Sequence, residues 1–294
     1  MEPILERFEK ETGIKVNVRY GGTTQLAVAI MEEGQRSPAD VFWSQDAGAL
    51  AALSGQNLLA TLSDRTLNSV EARYRGENRD WIATSGRARV LAYHSKLSGS
   101  ELPECIFDLT ESKWKGKIGW APANASFQSF LSGMIKMHGE DGARAWVKNM
   151  KNNGAVSYIN NNALIEAIAA GEIDLAITNH YYLYRFKANN ANYPVEQTFF
   201  SEGDIGNLLN LSGIAVIKTS KKQRDVEKLI QFLLTNASQF YFSQSVYEFP
   251  VKQLPTGNTI FSIDQQREIF PDVEPEALGD LEKTLHILRQ EGLL

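Results

Sequence analysis

The chain has 294 residues, which is long for one hydrophobic core and suits two lobes of about 100–150 residues each. Its net charge is −5, with 35 acidic and 30 basic residues interspersed along the sequence. This pattern argues against nucleic acid as the partner, because phosphate binding needs a concentrated basic face. No run of residues approaches the roughly 18 apolar positions of a membrane span, so we expect a chain that does not cross a membrane.

The first fifty residues alternate between helix and strand signals. Pro3 in a first turn and Gly13 as a stop predict an opening helix. Residues 14–20 alternate between apolar and polar types with period two, which predicts a strand. A second helix ends at Gly34, and residues 39–43 form a short apolar run that predicts a buried strand. Two such units in succession predict a mostly parallel sheet flanked by helices.

A second block of the chain repeats this order. Its predicted elements are strands at 117–121 and 173–177 and helices at 126–138, 140–150 and 161–170. The tail predicts two more helices, over 226–241 and over 276–294.

Two extended segments, 87–93 and 211–218, connect the blocks and predict a hinge of two crossover strands. The sequence therefore predicts an α/β protein of two lobes with the binding cleft between them. The expected boundaries are 1–88 with 213–265 for the first lobe and 89–212 with 266–294 for the second.

Two adjacent tyrosines are the most informative feature of the sequence. Tyr181 and Tyr182 follow the predicted strand 173–177, at the sheet edge where open α/β sheets bind ligands. Neighbouring side chains diverge on a regular helix or strand, so both rings reach one site only at an irregular junction. An isolated aromatic pair more often caps a hydrophobic core. The surrounding residues must therefore decide between packing and ligand binding.

The surrounding residues resemble a known family. Segment 173–182, with the sequence IDLAITNHYY, closely resembles the tyrosine-pair motif of periplasmic ferric-ion-binding proteins. Segment 39–50 resembles their first-lobe cleft segment, 85–91 their crossover strand, and 108–110 with 114–122 the entry to their second lobe. The likeness follows nearly the whole chain in order. It implies the type II periplasmic-binding-protein fold, in which two α/β lobes are hinged by two crossover strands.

The resemblance implies a receptor rather than an enzyme. Such a receptor captures Fe(III) in the cleft between its lobes and delivers it to the permease of an ABC transporter. Fe(III) is a hard acid that prefers anionic oxygen ligands, and it can displace the proton of a phenol whose ordinary pKa is about 10. In this family the paired tyrosines bind the iron, which implies that Tyr181 and Tyr182 are the metal ligands.

The resemblance also implies a synergistic anion, carbonate or phosphate, that completes the iron coordination. The family's anion-binding turn lies at a helix N-terminus, where free N–H groups favour negative charge. Arg87 is a candidate to supply positive charge. Each asparagine in the matching set is, taken alone, also a common helix cap. The positions that match anion contacts are Asn124, Ala125, Ser126, Asn161 and Asn179.

The first lobe departs from the family pattern in two ways. Receptors of this family usually begin with a strand and a loop that often donates an iron ligand, whereas this sequence starts at the following helix, so we expect a strand to be missing before Met1. Gln45 stands where some members place a glutamate, and a neutral amide is a hydrogen-bond partner more than an iron ligand. Tyr20, Thr23 and Thr24 lie on a predicted loop that can face the cleft.

Two alternative functions stay open at this point. The asparagines, Ser126 and Arg87 would equally serve a receptor for an oxyanion or a small organic phosphonate without iron. An enzyme on the same scaffold is the remoter alternative, since the sequence offers no convincing set of acid, base and nucleophile. The resemblance implies a monomer in the periplasm, or anchored by lipid outside the cell, although the first residues do not show the pattern of a secretion signal.

Overall fold

Two units share the chain, and each contains segments from distant parts of the sequence. The computed structural model describes residues 2–97, 99–255, 263–279 and 281–294; the expectation about Met1 lies outside these residues. The first unit comprises Met1–Gly86 and Leu211–Ile263, and the second comprises Arg87–Asn210 and Asp264–Leu294. At each point where the chain passes from one unit to the other, the boundary lies two residues before the one expected from the sequence.

The described residues form both strands and helices. The strands are β1 Val41–Ser44, β2 Trp81–His94, β3 Ile118–Trp120, β4 Val156–Ser157, β5 Leu175–Asn179, β6 Val195–Thr198 and β7 Leu209–Val216. The α-helices are α1 Glu2–Thr12, α2 Thr23–Glu33, α3 Ala47–Gly55, α4 Asp64–Leu67, α5 Ala125–Asn152, α6 Asn161–Ala170, α7 His180–Asn189, α8 Gln223–Leu233, α9 Asn236–Ser245, α10 Ile263–Ile269 and α11 Glu282–Gln290. None of these described helices combines the length and apolar composition needed to cross a bilayer.

The strand pairing is mixed. In the first unit β1 runs antiparallel to β7, with Val41 opposite Val216. In the second unit β3 pairs in parallel with β4 and β5, whereas β2 runs antiparallel to β5 and β6. The expected parallel pairing is thus present around β3, whereas the pairs that β2 and β7 make are antiparallel. Both β2 and β7 pass from one unit into the other, as the two crossover strands of the prediction should.

The predicted strand over 14–20 is wrong. No described strand pairs with this segment, and its residues Val18 and Tyr20 are 45% and 62% exposed. Ile14 and Val16 are only half-buried. Alternation of apolar residues produces a strand only where a neighbouring strand accepts its backbone hydrogen bonds, and the described residues provide no such neighbour here.

The helices of the tail are shorter than predicted. The helix expected over 226–241 is divided into α8 and α9, because the Thr235 hydroxyl caps the start of α9 by accepting from the Ser238 amide at 3.3 Å. The helix expected over 276–294 consists of a single 3₁₀ turn, Pro275–Leu278, followed by α11. The break includes Gly279, a poor helix former. The two helices predicted over 126–138 and 140–150 are confirmed, because α5 is interrupted at Gly139 with φ 75° and ψ 165°.

Four buried aromatic side chains hold the start of α5 against the end of β3. The Trp146 ring lies 6.1 Å from that of Trp120, 6.3 Å from Phe127 and 5.5 Å from Phe130, measured between centroids. All four are at most 1% exposed. Rings at these separations pack favourably beyond their buried area. This aromatic cluster therefore supports the turn between β3 and α5, which carries the predicted anion contacts.

Replacing Trp146 by alanine should lower the free energy of unfolding by about 3–5 kcal/mol, because the cavity removes contacts with three rings. Urea denaturation measures the change. Ile159 is 82% exposed, so Ile159→Ala is the matched control and should change stability by no more than about 0.5 kcal/mol. Equal losses in the two variants would contradict the role given to this cluster.

Candidate anion and metal site

Two phenols meet where β5 passes into α7. Tyr181 is 7% exposed and Tyr182 is half-buried. Their ring centroids are 4.3 Å apart, with 31° between the ring planes. The backbone is still extended at Asn179, with φ −95° and ψ 141°, and becomes helical at the next residue. The structure therefore brings the two predicted metal ligands together at the sheet edge.

The surroundings of Tyr181 keep its phenol protonated at neutral pH. Burial raises the pKa of Tyr181 to about 12, although the nearby positive charge of Arg87 acts in the opposite direction. The Arg185 guanidinium lies 4.7 Å from the centre of the Tyr181 ring and 5.8 Å from that of Tyr182, within range of a cation–π interaction. A ligand that uses the Tyr181 oxygen as an anion must displace its proton.

The N-terminus of α5 lies in the same unit as the tyrosines. Asn124 caps this helix, since its Oδ1 accepts from the Ser126 amide at 3.0 Å and from the Ser126 hydroxyl at 2.7 Å. Ala125, the first helical residue, is exposed. The N-terminal end of a helix carries partial positive charge. This turn is thus accessible at Ala125 and attractive to an anion.

Asn161 and Asn179 are buried near helix starts, but neither side chain caps a helix. The cap of α6 is Asn160, which accepts from Ala163, whereas Asn161 is 1% exposed and donates to the Ser126 hydroxyl at 3.4 Å. Asn179 precedes α7, yet its side chain makes no capping bond. It hydrogen-bonds the Tyr181 side chain instead. The Asn179 amide therefore contacts Tyr181, whereas the Asn161 amide contacts Ser126 at the start of α5.

Two arginines of β2 contribute buried positive charge. Arg87, expected from the sequence, is 8% exposed. Arg89, which the sequence analysis missed, is 3% exposed and donates to Ser126 Oγ at 3.2 Å and to Asn179 Oδ1 at 3.3 Å. Burial lowers the pKa of Arg89 to about 10, so it is charged at neutral pH. The sequence contained a signal for Arg89, because it lies two residues after Arg87 and residues two apart on a strand share a face.

The other predicted cleft residues belong to the first unit. Tyr20 is 62% exposed, and Thr24 and Gln45 are also exposed. Thr23 is half-buried at the start of α2. The backbone carbonyl of Gln45 accepts from the Ser212 hydroxyl at 3.5 Å. Their place in a binding cleft therefore stays a prediction.

Comparison with known proteins gives matches over most of the chain or nearly all of it. The sequence profile of a family described as bacterial extracellular solute-binding protein matches residues 36–269. The major ferric iron-binding protein of Neisseria meningitidis is 34% identical over 300 residues, which cover 99% of this chain and 89% of that protein. The structure of iron-bound HitA from Pseudomonas aeruginosa is 34% identical with a TM-score of 0.87, covering 99% of this chain and 94% of that one.

A Trichodesmium protein (IdiA, FutA), solved in complex with iron and citrate, is also similar along its length. It is 30% identical with a TM-score of 0.86, and the match covers 100% of this chain and 96% of that chain. The chain belongs to the bacterial extracellular solute-binding protein family, a family of receptors rather than of enzymes. The resemblance to periplasmic ferric-ion-binding proteins and the type II periplasmic-binding-protein fold, both predicted from the sequence, are confirmed.

Proposed function

We propose that this protein binds Fe(III) through the phenolate oxygens of Tyr181 and Tyr182, together with an oxyanion, and delivers it to an ABC permease. The observation that carries the proposal is the convergence of the two phenols, whose ring centroids are 4.3 Å apart. The similarity to the N. meningitidis protein, which is named as a ferric iron-binding protein, and to iron-bound HitA supports the choice of metal.

The protonation of Tyr181 explains why a trivalent ion is the preferred cargo. A phenol with a pKa of about 12 loses its proton to solvent near neutral pH only when a strong Lewis acid binds its oxygen. Fe(III) is such an acid and favours anionic oxygen over nitrogen or sulfur. Divalent ions compete poorly with a proton that the phenol oxygen holds this firmly. The Tyr181 phenol therefore selects for the charge of the metal ion as well as for its ligand preference.

An oxyanion, with carbonate or phosphate as first candidates, would occupy the space beside the tyrosines. The accessible N-terminus of α5 and the amides of Asn161 and Asn179 provide the polar groups. Arg87 and Arg89 provide positive charge. A helix start flanked by charged donors is a favourable place for an anion. The iron–citrate complex of the Trichodesmium relative is consistent with an oxyanion that accompanies the metal.

The chain would act as a carrier without chemical turnover. Membership in an extracellular solute-binding family supports a location outside the cytoplasmic membrane, in the periplasm or on a lipid anchor. The partner in delivery would be the permease of an ABC transporter. A single receptor chain is sufficient for this role, because both proposed metal ligands come from one chain.

Titration of the iron-free protein with ferric nitrilotriacetate at neutral pH tests this function. We expect a purple-red complex with a broad visible phenolate-to-iron band that saturates at one iron per chain. Ga(III), which has the same charge but no such band, should compete with iron and bleach the colour. A protein that stays colourless and retains no iron after gel filtration contradicts the proposal.

A further inference from the structure

The pairing of β2 with β5 ends one residue before α7 begins. The last paired residues are Arg89 and Asn179. Towards its start β2 continues with Ala88, but the opposite chain leaves the sheet at His180, the first residue of α7. The backbone amide of Arg89 donates to the carbonyl oxygen of Leu208, and successive amides of a strand point to opposite sides. The amide of Ala88 is therefore directed towards the start of α7.

The imidazole of His180 takes the place of the missing backbone partner. Its Nδ1 lies 3.1 Å from the amide nitrogen of Ala88 and 3.3 Å from the Ala88 carbonyl oxygen. A backbone amide can only donate, so Nδ1 accepts and the ring carries its proton on Nε2. Both residues are 0% exposed, and a buried amide needs an acceptor. A side chain thus extends the pairing of the two strands by one residue.

The same imidazole packs against two tyrosines of α7. The centroid of its ring lies 5.9 Å from that of Tyr181, with 87° between the ring planes. The distance to the Tyr184 ring is 6.4 Å, with 77° between the planes. Aromatic rings favour such edge-to-face arrangements. His180 therefore contacts β2 with its nitrogen and the first turn of α7 with the edge and face of its ring.

The part of β2 that His180 holds carries two arginines of the candidate site. Ala88 lies between Arg87 and Arg89 in the sequence. Burial raises the pKa of Tyr181, and the positive charge of Arg87 acts against this rise. Arg89 donates to Asn179 Oδ1 at 3.3 Å. A shift of Ala88 would therefore move both guanidinium groups relative to the Tyr181 phenol.

We propose that His180 is the positioning residue of the phenol pair. By accepting from the Ala88 amide, it fixes the first turn of α7 against β2 and so keeps Tyr181 and Tyr182 in the geometry that iron binding needs. His180 would act without contacting the metal, because its Nδ1 accepts from Ala88 and its Nε2 carries the proton, so that neither nitrogen offers a lone pair. This inference rests on the proposed ferric function.

Three substitutions of His180 separate the acceptor from the ring. His180→Phe keeps an aromatic ring and removes the acceptor. His180→Asn places an oxygen close to the position of Nδ1, whereas His180→Gln carries its oxygen one bond further from the backbone. For each variant, iron affinity is measured at neutral pH by competition with nitrilotriacetate, and the visible spectrum of the iron-saturated protein is recorded. Thermal melts of the iron-free proteins measure stability separately.

We expect His180→Phe to bind iron about ten- to a hundredfold more weakly, as is typical when a group that orients a metal ligand is lost. Its phenolate-to-iron band should also move, because the energy of this band depends on how each phenolate meets the metal. His180→Asn should recover most of the affinity and the wild-type band, whereas His180→Gln should not. The comparison of the two amides decides the question if His180→Phe does not fold.

His94 provides a matched control at the other end of β2. Its Nδ1 also accepts from a backbone amide, that of Lys96, at 3.1 Å. His94→Phe removes the same kind of hydrogen bond from the same strand, and we expect it to keep the wild-type affinity and band. An equal loss in His94→Phe would contradict a role specific to His180.

Two further results would overturn the inference. The first is a His180→Phe protein that melts at a lower temperature yet keeps the wild-type affinity and band, because His180 would then be merely structural. The second is an equal loss in His180→Asn and His180→Gln, because the position of the acceptor would then not matter. A wild type that binds no iron refutes the proposed function itself, so the two failures are distinguishable.

Discussion

The double substitution Tyr181→Phe with Tyr182→Phe should abolish the visible iron band and lower the ferric affinity by more than about a thousandfold. Loss of a partner outside the coordination shell already costs about 10–100-fold in metal affinity, and this variant removes two anionic ligands. Phenylalanine keeps the ring contact between the two positions, whose centroids are 4.3 Å apart. The fold should therefore survive, and circular dichroism with a thermal melt can verify this.

The matched control is Tyr184→Phe. Tyr184 lies on the same helix, and its ring packs against that of His180 at 6.4 Å. Its hydroxyl pairs with Gln197 and takes no part in the proposed metal site. We expect the control to keep the wild-type colour and affinity. Each single substitution at Tyr181 or Tyr182 should give a weaker and displaced band, because one phenolate remains. Retention of the band in the double variant would refute the tyrosine pair as iron ligands.

The sequence predicted the position of the phenols and the positive charge of Arg87, but not that of Arg89. A strand-to-helix junction could be placed at Tyr181 because an apolar run ends there and a helical pattern begins. Arg89 was missed because an arginine inside an apolar strand pattern is usually assigned to a solvent face. Arg89 is 3% exposed and donates to Ser126 and Asn179, which are distant from it in sequence. Only tertiary structure shows that these residues meet.

The asparagines illustrate the same limit in another way. Asn160 and Asn161 are adjacent, and either could cap α6 by its sequence position. The cap is Asn160, so the side chain of Asn161 is directed to Ser126 instead. The strand predicted over 14–20 shows the converse, since its local pattern is correct while no described neighbour pairs with it. Local periodicity reports the preference of a segment, and packing decides whether that preference is realised.

Acidification should weaken iron binding steeply, by up to about two orders of magnitude per pH unit. Each phenol that enters the coordination shell as phenolate releases one proton. Burial raises the pKa of Tyr181 to about 12, so protons compete with iron for this oxygen over the whole physiological range. Affinity therefore rises with pH, and lowering the pH from 7.5 to 5.5 should reduce it by up to about 10⁴-fold when both tyrosines are ligands.

Proton counting separates this mechanism from a general effect of pH on folding. Calorimetry in two buffers of different ionisation enthalpy should show about two protons released per iron in the wild type. Tyr182→Phe should release one proton fewer and halve the slope of affinity against pH, while Tyr184→Phe keeps the wild-type values. Binding that is independent of pH would mean that iron is held without phenolate. A trivalent cargo on such a pair is released by protons, because protons and iron compete for the same two oxygens.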